Sequence, residues 1–259
     1  MMRATRLPFR SSPFAAAALA AAAICALPEA ANAQTPDTTA GYVDAVVGTN
    51  AKFKMLLTGI ASTADTLYIT DAVTCLRSMS LSSGVVITIA GKCYTTDLSA
   101  FGYVNAIGTN ARFFLNGPLA VDAPTGVVYV ADQGYVLRSY DPASGAVATA
   151  AGGGNNFAAV DYGNIDAVGT NARFNNINGL AADNAGSIFI ASYKSLRKIS
   201  LATGAVSTLV SGDCTPKTPT GCFDSLKSVA YSAGAVFFMD KSALRSADAA
   251  TGAVTFIAG

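Results

Sequence analysis

The sequence predicts an all-β fold assembled from like units, each a small antiparallel sheet stacked on the next around an axis. Three observations predict it. The phrase GTNAKF at 48–53 returns as GTNARF at 108–113 and again at 169–174, so the period is nearly constant. Behind each phrase follows one succession of strand-like runs and glycine turns, and that succession occurs a fourth time near the end of the chain. No stretch after residue 33 carries sustained helical periodicity. A fixed period of this size marks an array whose units bury their apolar faces against their neighbours.

The elements of one unit follow in order. Beyond each Phe comes an apolar run that ends in a small or acidic residue: 67–71, 127–132 and 187–192, with 236–240 as the fourth. A Leu-Arg pair comes next, at Leu76-Arg77, Leu137-Arg138, Leu196-Arg197 and Leu244-Arg245. A turn follows at Ser83-Gly84, Ser144-Gly145, Thr203-Gly204 and Thr251-Gly252. It leads into a β-branched and Ala-rich run at 85–90, 146–151, 205–210 and 253–258. These short runs separated by glycine turns read as a four-stranded meander. Gly in the last turn suits a left-handed residue of a hairpin. A sheet this small cannot bury both faces alone. Radial stacking, the β-propeller arrangement, covers both, and about 50–60 residues per unit is too long for a β-helix coil. The fourth unit lacks GTNARF, and Cys222-Phe223 stands roughly where the phrase belongs. Four visible units leave a four-bladed ring, an open arc and an incomplete ring as the forms to distinguish.

The order resembles the NHL repeat. The second unit shows it best, with Asn105-Ala106, Gly108, Ala111-Arg112-Phe113, Gly117-Pro118-Leu119-Ala120, Tyr129-Val130-Ala131-Asp132, Leu137-Arg138 and Gly145. The resemblance covers 41–259, with units at about 41–93, 94–152, 153–212 and 213–259. It implies a propeller of NHL-like blades. Enzymes on related propellers depend on His or Glu around the central channel. This chain has no His, and its one Glu is Glu29.

Residues 1–33 lie outside the repeats. Arg3, Arg6 and Arg10 precede an apolar, Ala-rich block at 14–27, and Ala31-Asn32-Ala33 forms a cleavage site. These features read as a secretory signal peptide, which places the protein outside the cell. The Arg- and Ala-rich character also fits an organelle transit peptide. Residues 34–40 are a short linker that offers no obvious strand to complete the last unit. Removing the leader's three Arg and Glu29 leaves fourteen basic and fifteen acidic residues, a net charge of −1. That balance provides no electrostatic footprint for nucleic acid or an anionic membrane.

Composition restricts the chemistry. Acid–base catalysis near neutral pH mostly uses His or a tuned carboxylate. Catalytic zinc normally needs His, and a Ser-His-Asp triad is ruled out. An Asp-based calcium site stays open, since calcium takes carboxylate and carbonyl oxygens, but no D-x-D-x-D-G string occurs. The sequence therefore points to a non-enzymatic module without cofactor or metal, with a calcium-dependent Asp enzyme as the alternative. Four cysteines follow the leader: Cys75, Cys93, Cys214 and Cys222. An even count in a secreted chain suggests disulfides, with three pairings to choose from. A hairpin centred on Ser83-Gly84 puts residue 75 opposite about residue 92, which favours Cys75–Cys93. Cys214 and Cys222 bracket a Pro-rich loop. The rival reading, one metal held by all four thiolates, lacks the C-x-x-C spacing.

Two groups of polar residues recur. Arg77, Arg138, Arg197 and Arg245 come once per unit, as do Asp71, Asp132 and Asp240, with Ser192 in the third. One copy per unit fits ion pairs that maintain the fold. Tyr42, Asp44, Tyr103, Asn105, Asn110, Tyr162, Asp166 and Asn171 gather at the GTN loops, where a rigid scaffold presents contact residues. Unequal insertions at 92–101, 152–162 and 212–223 add further loops. The expected partner is a protein or a carbohydrate. If four units leave the ring incomplete, another copy of the chain is a further candidate.

Overall fold

A computed structural model describes residues 46–47, 51–53, 58–72, 74–93, 98–114, 116–153, 162–212 and 223–259. The leader, the linker, Tyr42, Asp44, Cys214 and Cys222 lie outside the described residues. So do the first GTN, at 48–50, and positions 94–97, 154–161 and 213–222 of the three insertions.

Seventeen strands make four antiparallel sheets among the described residues. Blade 1 holds β1 (Val46–Val47), β2 (Gly59–Ser62), β3 (Thr66–Asp71), β4 (Cys75–Ser80) and β5 (Val85–Gly91). Blade 2 holds β6 (Asn116–Val121), β7 (Val128–Asp132), β8 (Val136–Tyr140) and β9 (Val147–Ala151). Blade 3 holds β10 (Ile177–Ala182), β11 (Ser187–Ser192), β12 (Ser195–Ser200) and β13 (Val206–Ser211). Blade 4 holds β14 (Leu226–Ser232), β15 (Ala235–Asp240), β16 (Ala243–Asp248) and β17 (Val254–Ala258). The four long strands of each blade form a meander in sequence order, as in a propeller.

The strands lack polar–apolar alternation because internal blades are covered on both faces. Every residue of β11 is buried. Three apolar clusters fill the three joints. Tyr68 and Leu76 of blade 1 share one with Val128 and Val130 of blade 2. Ala131 and Leu137 share the next with Ile188 and Ile190. Phe189 and Leu196 share the third with Val236 and Phe238. The inner strands β2, β6, β10 and β14 pack side by side in that order. No comparable packing joins β14 to β2 among the described residues.

The segments before β2, β6 and β10 run along the outer edges of their own blades. Val46 and Val47 pair with Val86 and Val85. Ile107 bridges Ala146, and Val168 bridges Ala205. So β1 adds to blade 1 and does not close the chain onto blade 4. No such segment lies along β17 among the described residues, and most of that strand is exposed.

Cys75 and Cys93 form a buried disulfide with a Cα–Cα distance of 4.8 Å. Cys75 faces Gly91 in the β4–β5 register, one residue from the position that hairpin counting predicts. The bridge spans a sequence separation of 18. Replacing both cysteines by alanine should cost about 3 kcal/mol and lower the melting temperature by roughly 10 °C. Thermal unfolding followed by circular dichroism measures it.

Candidate functional site

The repeated arginine organises the loops of blades 1, 2 and 3. Arg138 on β8 is buried. Its Nη1 donates to Asp132 Oδ2 (2.9 Å) and to the Arg112 carbonyl (3.2 Å). Its Nη2 donates to the Val104 carbonyl (3.1 Å) and to Asn105 Oδ1 (2.9 Å). One planar guanidinium thus holds both limbs of the GTN loop against the blade, which a single ammonium could not do. Arg197 repeats the arrangement with the Arg173 carbonyl (3.1 Å), the Ile165 carbonyl (3.0 Å) and Asn164 Oδ1 (3.0 Å). Arg77 donates to the Lys52 carbonyl (2.7 Å) and to Asp71 Oδ2 (3.1 Å).

The Phe of each phrase lies under its blade's arginine. The guanidinium carbon is 4.9 Å from the Phe53 ring centroid for Arg77, 5.2 Å from Phe113 for Arg138 and 5.4 Å from Phe174 for Arg197. Phe223 takes this place in blade 4, 5.8 Å from Arg245, although the phrase itself is missing there. Phe113 also packs on Gly91 of the preceding blade. That glycine has φ +77°, and a Cβ on it would lie 2.3 Å from the Thr74 carbonyl oxygen. Only glycine lets the ring and the backbone approach so closely.

One carboxylate faces each arginine, but its origin varies. Asp71, Asp132 and Asp240, on the second main strand of their blades, face Arg77, Arg138 and Arg245. Blade 3 has Ser192 at that position. Its carboxylate comes instead from the loop, where Asp166 Oδ1 accepts from Arg197 Nη2 at 2.5 Å. In blade 2 the loop position holds neutral Asn105. Burial alone would raise the Asp166 pKa. Hydrogen bonds from the Thr208 N–H and hydroxyl, together with the Arg197 charge, outweigh it and hold the carboxyl below its ordinary value of 3.8. Burial pulls the Arg138 and Arg197 guanidinium groups below their ordinary range, and their carboxylates partly restore it.

The expected contact residues divide into two kinds. Asn105 and Asp166 direct their oxygens to arginine and to Thr149 or Thr208. Tyr103 stacks on Phe114 at 5.9 Å and donates its hydroxyl to Gln133. Asn110 and Asn171 end single 3₁₀ turns and are exposed. Tyr162 is 51% exposed beside Tyr135, their ring centroids 5.9 Å apart. Its counterpart by position in blade 2 is Phe101, while Tyr103 corresponds to Asn164. Sequence reasoning missed four aliphatic residues on these loops. Val104 and Ile165 are exposed, and Ile107 and Val168 are 65% and 58% exposed. The signal was an aliphatic residue immediately before GTN in successive units, Ile107 and Val168, with Val104 and Ile165 recurring three positions ahead of them.

The inner strands border a cavity of about 690 Å³. Gly59, Pro118, Asn178 and Ser228 line it from the four blades, and Leu67, Ile69 and Met79 extend the wall over one face of blade 1. No carboxylate lines it among the described residues. Asp71, Cys75 and Cys93 cluster within 4.8 Å of one another. The two sulfurs are bonded to each other and the carboxylate faces Arg77, so this cluster fits a structural joint better than a metal centre.

No protein-family model matches the sequence, and no curated protein matches it. Solved structures are similar in fold. A structural genomics protein of unknown function from Bacteroides thetaiotaomicron matches with a TM-score of 0.53 at 19% identity, over 78% of this chain and 47% of that one. The WD40 repeats of RRP9 match with a TM-score of 0.51 at 13% identity, over 87% of this chain and 56% of that one. U3-55K matches with a TM-score of 0.51 at 13% identity, over 86% of this chain and 56% of that one. The chain therefore spans about half the length of these three structures, and what the comparisons establish is the β-propeller fold.

Proposed function

We propose that the protein is a secreted, non-enzymatic binding module of NHL type that holds a protein or glycan partner on the loop rims of blades 2 and 3. The observation that carries this reading is the repeated pair of exposed aliphatic residues, Val104 with Ile107 and Ile165 with Val168, on loops fastened by buried arginines. Exposed apolar side chains grouped on one structural element mark contact sites. A loop already fixed by its arginine loses little conformational entropy on binding. The aliphatic character favours an apolar protein segment, and Tyr162 supplies an aromatic edge beside it. The carboxylates of the repeated ion pairs are engaged with arginine, which supports a binding role over acid–base chemistry.

A photo-crosslinking amino acid at position 107 or 168 tests the reading in the protein's native host. Both positions should give the same mass-shifted adduct, suppressed at least tenfold by excess protein without the crosslinker. Position 82, in an exposed β4–β5 turn, is the control. Adducts that are equal at 82, 107 and 168 would contradict it.

A further inference from the structure

Every internal joint joins the same two faces. One face of each blade carries the positions of Phe189, Ala191 and Leu196 in blade 3, all fully buried against blade 4. The opposite face of the next blade carries the positions of Leu119, Val128 and Val130 in blade 2, all buried against blade 1. Strand register transfers these positions to the two ends of the array. Phe237 pairs with Ala230 and Ser246 as Phe189 pairs with Ala181 and Lys198. Met239 and Leu244 occupy the places of Ala191 and Leu196. Ile257 occupies the place of Leu209, which packs in the joint between blades 3 and 4. At the other end, Ile60 and Ile69 occupy the places of Leu119 and Val130. Leu67 and Met79 occupy those of Val128 and Tyr140.

The end faces keep the apolar character of a joint but lack its cover. Phe237, Met239 and Leu244 are only half-buried, and Ile257 is 44% exposed. Ile60 is 65% exposed where Leu119 is 5%. Ile69 and Met79 are already buried, so Ile60 and the half-buried Leu67 form the open part of the blade 1 face. Ser246 stands where blade 3 has Lys198, so that position adds no charge to be desolvated. The two faces are therefore the two halves of the joint already built three times within the molecule.

We propose that a second copy of this chain covers both faces at once. Blade 4 of each copy packs on blade 1 of the other, head to tail, and eight blades close one ring. Four strands about 4.8 Å apart, with about five residues each rising about 3.3 Å, present a face of roughly 300 Å². Four such faces bury roughly 1,200 Å² in the pair, the lower end of the range for specific interfaces. Two unlike faces that meet around a twofold axis give a closed assembly with no free face left. This inference goes beyond the rim-binding function and uses none of its residues.

Light scattering of the purified full chain over a hundredfold range of concentration should give the mass of two copies. Phe237→Asp, or Ile257→Asp at a more exposed position, should each give a folded monomer. Ile60→Asp, at the other end, should do the same. Mixing a blade 4 variant with Ile60→Asp should restore a pair, because each copy keeps one intact face. A monomer mass at every concentration would overturn the proposal. So would a dimer that survives all three substitutions, or a mass that climbs beyond two copies.

Discussion

Asp132→Ala is expected to destabilise the protein by about 3–5 kcal/mol, the usual cost of leaving one member of a buried ion pair alone. Asp132 is buried, and its Oδ2 faces Arg138 at 2.9 Å. Its Oδ1 accepts the Phe114 N–H at 2.9 Å. The substitution leaves a guanidinium and an amide donor without this acceptor, in a place water does not reach. For a domain of this size the melting temperature should fall by roughly 10 °C or more. Thermal and urea unfolding measure the change, and a loss below about 1 kcal/mol would contradict the role assigned to the pair. The exposed pair of Lys241 and Asp224 is the control, since both side chains are solvated and Lys241→Ala should leave the midpoint unchanged.

The second large effect is a rescue in blade 3. Asp166→Asn copies the loop residue of blade 2 but leaves Arg197 without a carboxylate, because Ser192 stands where blade 2 has Asp132. The expected cost is about 1–3 kcal/mol, less than for Asp132 because Asp166 is 46% exposed and water screens it. Adding Ser192→Asp rebuilds the blade 2 arrangement and should recover most of the loss. The backbone is ready for it: the Asn175 N–H already donates to the Ser192 hydroxyl, as the Phe114 N–H donates to Asp132. A double variant less stable than Asp166→Asn alone would refute the exchange. The acid limb gives a second readout. A folded pKa below 3.8 means that Asp166 contributes stability above that pH, lost as the pH falls through its lower folded value. Stability should therefore fall less steeply below about pH 4 in Asp166→Asn than in the parent protein.

Much of this arrangement was legible because propeller blades repeat their chemistry along with their shape. The Leu-Arg pairs, with Asp71, Asp132 and Asp240 before three of them, marked the ion pairs of blades 1, 2 and 4. Phe223 was recognisable as the remnant of the missing phrase, and it does lie under Arg245. Ser192 was visible as a departure and Asp166 as a loop residue beside GTN, but only the geometry shows that one compensates for the other. The two residues are distant in sequence and are related through one guanidinium. The edge segments were not legible, since the aliphatic residue before each GTN recurs in the sequence without showing that it pairs with the outer strand, as Ile107 does with Ala146. Nor were the exposed aliphatics, because an Ile in a loop has the composition of a core residue and only its surroundings show that it faces water.

Amide hydrogen exchange at the loop-to-edge bonds tests most directly the claim that the arginines fasten these loops into a rigid rim. The Val147 N–H donates to the Ala106 carbonyl at 2.8 Å, and the Gly169 N–H donates to the Gly204 carbonyl at 2.9 Å. Both amides should exchange as slowly as those in the middle of β8 and β12, and Asp132→Ala should speed exchange at Val147 while leaving Gly169 unchanged. Exchange of both within seconds in the unmodified protein, at the rate of a free loop, would contradict the claim.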